Sequence, residues 1–198
     1  MVTDPSNSVV VDTSIAIDLN ATGCAATILA ALPFGLVITN VVGAELQEDR
    51  RSGRNDAVLV AALIEAKLVR TVSLGTRGDS VFASLVVGSA AETLDDGEAS
   101  TIAYAVEHDV RPVIDERKAL RICTQRFPGL RPLSTVDLLM DQAVVESLGR
   151  EVLADAVFQA LQTARMRVLP GWVDRVVRLI GVDRAAQCPS LPAHARRR

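Results

Sequence analysis

The stretch Val9-Val10-Val11, running straight into Asp12-Thr13-Ser14, constrains the fold of this chain more than any other. Three consecutive β-branched apolar residues without polar alternation predict a strand covered on both faces, as in a parallel sheet enclosed by helices. Open α/β sheets place their ligand crevice beyond the carboxyl ends of the strands, so Asp12 sits where a ligand arrives. A carboxylate after three buried valines must be paired, coordinated or neutralised.

The same pattern recurs downstream. Leu36-Val37-Ile38-Thr39 reads as a second buried strand, followed by Asn40 as N-cap of a helix over 41–51 that carries Glu45. Residues 68–72 alternate like an edge strand, Arg111 to Asp115 reads as a strand ending in a carboxylate, and a short strand is expected near 130–133. Helices are expected over 15–20, 24–32, 56–67, 79–88 with Asp79 as cap, 99–108 and 117–126. Strands alternating with helices predict an α/β fold in three layers, α/β/α, around a central parallel sheet. From Thr135 the pattern is helical only, over 136–148, 151–165 and 171–180. The expected organisation is a domain over 1–134, a helical C-terminal extension over 135–184 packed on it, and a frayed tail over 185–198 with Pro189, Pro192 and a terminal Arg196-Arg197-Arg198.

Composition narrows the chemistry. With 198 residues, 49% of them hydrophobic, the chain can bury a full core. Cys24, Cys123 and Cys188 are far apart and lack zinc or iron-sulfur spacing, and His108 and His194 are the only histidines. Carboxylates must therefore carry any catalysis. A net charge of -3 argues against a passive nucleic-acid binder, but less against a nuclease whose bound cations meet the phosphate. No apolar run approaches the roughly 20 residues of a membrane span, and the N-terminus has no basic region before an apolar stretch. A cytoplasmic location without membrane contact is expected.

Four carboxylates occupy equivalent places: Asp12 and Asp115 end strands, Glu45 lies one turn into a helix, and Glu98 lies in the first turn of another. In a parallel sheet all four face one crevice. Two like charges about 4 Å apart repel by about 4 kcal/mol at an effective dielectric near 20, so a positive group must compensate. Mg2+ or Mn2+ suits an all-oxygen site that also takes up phosphate oxygens, and hydrolysis of a phosphodiester is the reaction that fits.

Each of these residues has a plainer alternative. Asp95 and Glu98 match a capping box, Glu45 can be an exposed helix residue beside Gln47 and Glu48, and Asp12 and Asp115 can cap the helices that follow them. Thr13 and Ser14 can cap a helix or orient phosphate or metal-bound water. Arg50, Arg51 and Arg54 form a basic loop, either solvated or in contact with RNA phosphates. His108 reads as a surface residue and Trp172 as core or interface.

Val-Val-Asp-Thr-Ser at 10–14, Thr39-Asn40-Val41-Val42 leading to Glu45, Leu-Asp-Asp-Gly-Glu-Ala-Ser-Thr-Ile-Ala-Tyr-Ala at 94–105 and Val-Ile-Asp-Glu-Arg-Lys-Ala at 113–119 together resemble PIN-domain proteins. The branch most similar carries an Asp-x-Gly-Glu-Ala signature and is related to ribonuclease toxins of bacterial toxin-antitoxin pairs. The resemblance runs from about Val9 to about Ile180. It implies Mg2+ or Mn2+ held by Asp12, Glu45, Glu98 and Asp115 for RNA cleavage, with Asp95, Glu116, Thr13, Ser14 and Asn40 as auxiliaries. It also implies a protein antitoxin and a homodimer; Leu138, Leu139, Val152, Leu153, Val157 and Leu161 give the extension apolar faces for packing on the domain or on a second copy. Two features depart from the simplest toxins: Glu98 stands where many have Asp, and the helical extension lengthens the chain. The resulting expectation is a metal-dependent endoribonuclease, the toxin of such a pair, against a catalytically inactive PIN-fold binding or assembly module. A haloacid-type phosphatase is disfavoured because Ser14 occupies the place of its second Asp, and a receiver because no strand ends in lysine.

Overall fold

A computed structural model describes residues 7–50 and 55–196. Arg51 and Arg54 of the expected basic loop, the Arg50 side chain, Arg197 and Arg198 lie outside the described residues. The chain divides into two compact units, Met1–Ala16 with Phe34–Leu133, and Ile17–Pro33 with Ser134–Arg198.

The first unit is built on four parallel strands, β1 (Ser8–Val11), β2 (Gly35–Thr39), β3 (Val69–Val72) and β4 (Arg111–Val113), in the order β3-β2-β1-β4. Helices on both faces complete the three-layer α/β/α arrangement of a PIN-like fold, and this is why β1 is apolar without alternation. The chain steps outward from β1 to β2 and β3, then returns to place β4 on the other side of β1. The topological switch point therefore lies between β1 and β4, where α/β sheets open their ligand crevice. Register sets Val11 opposite both Ile38 and Val113, so Asp12, Thr39 and Asp115 follow at one end of the sheet.

The expected strand near 130–133 is a single bridge, Val113 with Leu133. Leu133 donates to the Pro112 carbonyl and accepts from Ile114, but Pro132 has no N–H to extend the ladder. The helix after Asn40, α3 (Asn40–Arg50), begins one residue earlier than expected, because Thr39 and not Asn40 supplies the cap: its hydroxyl accepts the Val42 N–H at 3.2 Å. Asp79 does not cap its helix either. That helix, α5 (Thr76–Val86), starts after Gly75, and its first N–H groups are met by Glu107, whose carboxylate accepts from Gly75 at 2.8 Å.

The central helix of this unit, α6 (Asp96–His108), begins at Asp96, three residues before the expected start. Gly97 and every residue from Ala99 to Ala105 are buried. Small side chains at Ala99, Ser100, Ala103 and Ala105 let its backbone approach β1 and β2 closely, and α3 and α5 pack beside it. One apolar cluster gathers Leu85, Leu94, Ile102, Ile114 and Ile122; another joins Val10 and Val37 to Tyr104 and Val110. The helix Arg117–Arg126 has the bounds read from sequence.

The second unit is helical. It contains Ala25–Ala31, which packs on the long helix Gln142–Gln159, and Thr135–Leu139, Val173–Ile180 and Val182–Ala186. The long helix is broken at Gly149 and continues into a π turn over Ala160–Ala164. Leu138, Leu139, Leu153, Val157 and Leu161 are buried, whereas Val152 is half exposed. The tail expected to fray is packed: Cys188, Leu191 and Ala195 are buried, and the Cys188 thiol donates to the Arg184 carbonyl. No single helix among the described residues is long and apolar enough to cross a membrane.

Candidate active site

The end of β1 turns Asp12 into a buried N-cap. Its Oδ1 accepts the Ile15 N–H at 2.9 Å and the Ser14 hydroxyl at 2.8 Å, so the cap of the helix Thr13–Ala21 is Asp12 itself, with neither Thr13 nor Ser14 in that role. Burial pushes the Asp12 carboxyl up to about 6 against these two hydrogen bonds, with Asp95 and Glu45 adding repulsion. Capping and ion binding are compatible, since one oxygen serves the helix.

Glu45 is half-buried on α3 and held from two sides. The Thr13 hydroxyl donates to its Oε2, and Gly97 lies against its carboxylate. An added Cβ at Gly97 would overlap Glu45 Oε2, which explains why the run Asp95-Asp96-Gly97-Glu98 has glycine at its third place. The plainer reading of Glu45 as a solvated helix residue does not hold. Burial raises its pKa, followed in effect by the opposing Thr13 bond and by the charge of Asp95.

Asp95 is exposed and caps α6, accepting the Glu98 N–H at 2.9 Å. Glu98 is half-buried, and its carboxyl is pushed up to about 8, first by burial and then by Asp95, Asp12 and Glu116, with Lys118 the weakest of the resolved influences and the one that lowers it. Glu116 caps the helix Arg117–Arg126 by accepting the Ala119 N–H at 2.8 Å, a role that was the alternative for Asp115. Asp115 is buried just beyond β4, across the switch point from Asp12.

Asp12, Glu45, Asp95, Glu98 and Glu116 thus form one electrostatically connected set, and Asp115 lies just beyond β4, the strand beside β1. As they stand, no three His, Cys, Asp or Glu side chains among the described residues are grouped tightly enough to hold an ion. Asn40 is exposed at the start of α3. His108 is at the far end of α6, about 18 Å along a helix axis rising 1.5 Å per residue, and stacks on Tyr104. It takes no part in the site. Sequence reasoning missed Thr39 and Ser100, both fully buried, whose hydroxyls meet at 2.8 Å. It also missed the contact of Gly97 with Glu45, although both residues stand inside the quoted motifs.

The family model described as DUF3368, a PIN domain, matches residues 8–182. The chain belongs to the PIN-domain family. No curated protein and no solved structure matches it. PIN domains are generally nucleases that use divalent metal ions such as Mg2+. The residues of this PIN domain fit such an ion chemically. The candidate donors are all carboxylate oxygens, the preference of hard divalent cations, and burial with repulsion from neighbouring carboxylates raises the pKa values of Asp12, Glu45 and Glu98.

Proposed function

We propose that this PIN domain is a Mg2+- or Mn2+-dependent endoribonuclease, the toxin of a toxin-antitoxin pair, with Asp12, Glu45, Glu98 and Asp115 as the residues that hold the ions. The observation that carries this reading is the uncompensated negative charge of the crevice: burial raises Asp12 to about 6 with Asp95 and Glu45 adding repulsion, and raises Glu98 to about 8 with Asp95, Asp12 and Glu116 adding repulsion. A cation holds Asp12 ionised and returns Glu98 to the ionised form at neutral pH.

Bound ions would supply a nucleophilic water at neutral pH and offset the charge of the scissile phosphate. The chain supplies the rest. Asp12 directly follows β1 and Asp115 lies two residues beyond β4, and Asp12 is oriented further by Ser14 and the Ile15 N–H. Glu45 is oriented by Thr13, and Glu98 by the first turn of α6, where Asp95 fixes its backbone. Asp95 and Glu116 add negative charge around these four and strengthen cation uptake without being ligands in this scheme.

Asp12→Asn keeps the oxygen that caps the helix and removes the charge. RNA cleavage should fall by more than about a hundredfold, beyond the usual cost of losing a supporting residue, while the melting temperature changes little. Undiminished cleavage by the purified variant would remove the proposal. The looseness of the carboxylate grouping favours one other reading, a catalytically inactive binding or assembly module. Calorimetric titration with Mn2+ separates the two, since the module has no need of the ion. Toxicity is tested by growth arrest on expression and its relief by the product of a neighbouring reading frame, the antitoxin partner; a homodimer is tested by sedimentation.

A further inference from the structure

We infer that Thr39, Ser100 and Gly97 are positioning residues that set α3 against α6 and so deliver Glu45 to the carboxylate cluster. The inference rests on the nuclease reading for its purpose, but on the geometry of these residues for its content. A hydroxyl has one proton to give. Ser100 Oγ gives its proton to the Gly97 carbonyl at 3.0 Å, so at the 2.8 Å contact between the two hydroxyls Thr39 is the donor and Ser100 the acceptor. Thr39 Oγ1 in turn accepts the Val42 N–H at 3.2 Å.

The bonds form a directed chain from Val42 N–H through Thr39 O–H and Ser100 O–H to the Gly97 carbonyl. It starts on α3 and ends on α6. The same residue meets α3 a second time, because the Glu45 carboxylate, three residues beyond Val42 on α3, lies against Gly97, where an added Cβ would fall on Oε2. Gly97 stands two residues after the cap Asp95, in the turn where backbone N–H groups have no partner within the helix. Glu45 is therefore the natural acceptor for it. A chain of hydrogen bonds with no solvent exposure at Thr39 or Ser100 joins the two helices, its hydroxyls sixty-one residues apart in sequence, and each bond in such a chain polarises the next. Packing alone would leave α3 free to slide along α6; the hydroxyl pair fixes the offset that puts Glu45 over Gly97.

The Gly97 amide proton reads this arrangement directly by NMR, whether or not the protein cuts RNA. Thr39→Val and Ser100→Ala should each move the Gly97 amide resonance and lower its protection, and should weaken Mn2+ binding about ten- to a hundredfold in calorimetry. Thr39→Ser should restore both readings. Because the hydroxyls act as a unit, Thr39→Val combined with Ser100→Ala should be no worse than the worse single variant. Ile122→Ala, a core truncation in the same unit, should lower the melting temperature while leaving the Gly97 resonance and Mn2+ affinity unchanged. An unmoved Gly97 resonance in both single variants, losses that multiply in the double variant, or an equal loss of Mn2+ affinity in Ile122→Ala would overturn the inference. Failure of the wild-type protein to bind Mn2+ would instead sink the nuclease reading, with the Gly97 resonance still deciding the role of the hydroxyl chain.

Discussion

At the scale of single residues the site sets stability against function. Gly97 lies inside α6 with ordinary helical backbone, so Gly97→Ala should favour the helix by about 1 kcal/mol and raise the melting temperature slightly. The new methyl group would displace the flexible end of Glu45, so Mn2+ affinity and cleavage should fall in the same variant. A melting curve paired with a titration checks both signs. The raised carboxyls make a second prediction, for the metal-free protein. Asp12 has a folded-state value of about 6 against 3.8, and Glu98 about 8 against 4.5, so the folded state binds protons more tightly than the unfolded chain. Their contribution is complete below about pH 4 and is lost as pH rises through about 6 and then about 8. Thermal scans in chelator should therefore show a falling melting temperature from pH 5 to 9, and saturating Mn2+ should raise it more at pH 8 than at pH 6. A melting temperature in chelator that rises over this range would contradict the assignment.

At the scale of elements, local signals succeed wherever the cause is local. The Arg117–Arg126 helix and the run ending at Val11 follow from periodicity and β-branching within a few residues. The break between the expected helices 136–148 and 151–165 is at Gly149, whose φ of 72° and ψ of 162° belong to a region that only glycine enters freely. Gly149→Ala should cost about 1–3 kcal/mol in denaturant unfolding. A variant as stable as the parent would mean that the break moves easily elsewhere. Local signals fail where the partner is distant. The start of α5 is set by Glu107, thirty-two residues from Gly75, and not by Asp79 nearby. Nothing in the sequence around Asp79 carries that information.

At the scale of the whole molecule, charge and grouping matter most. With a net charge of -3 the chain has no broad basic footprint, so divalent ions must carry a large share of any attraction for RNA. Removing them with EDTA should abolish RNA binding measured by anisotropy, and raising monovalent salt should weaken it with a shallow slope, in contrast to a protein making many phosphate contacts. Strong RNA binding that survives EDTA would refute this. The partition of residues is also a property of the whole. Ile17–Pro33 groups with Ser134–Arg198, because Ala25–Ala31 packs on the helix Gln142–Gln159, although more than a hundred residues of chain separate them.

The amino-acid sequence alone determined the alternation of strands and helices and the parallel sheet, and it singled out four acidic positions as candidates. All of these follow from burial patterns and residue types read over a few neighbours. Tertiary structure decided what each acidic group touches: Asp12 as its own helix cap, Glu45 on Thr13 and Gly97, Glu116 in the role open to Asp115, and the Thr39–Ser100 pair. Such contacts depend on which elements lie side by side once the core is closed. A hydrogen bond reaching across sixty-one residues exists only after hydrophobic packing has met the entropy of closing that loop, and the residues at its ends keep no local trace of it.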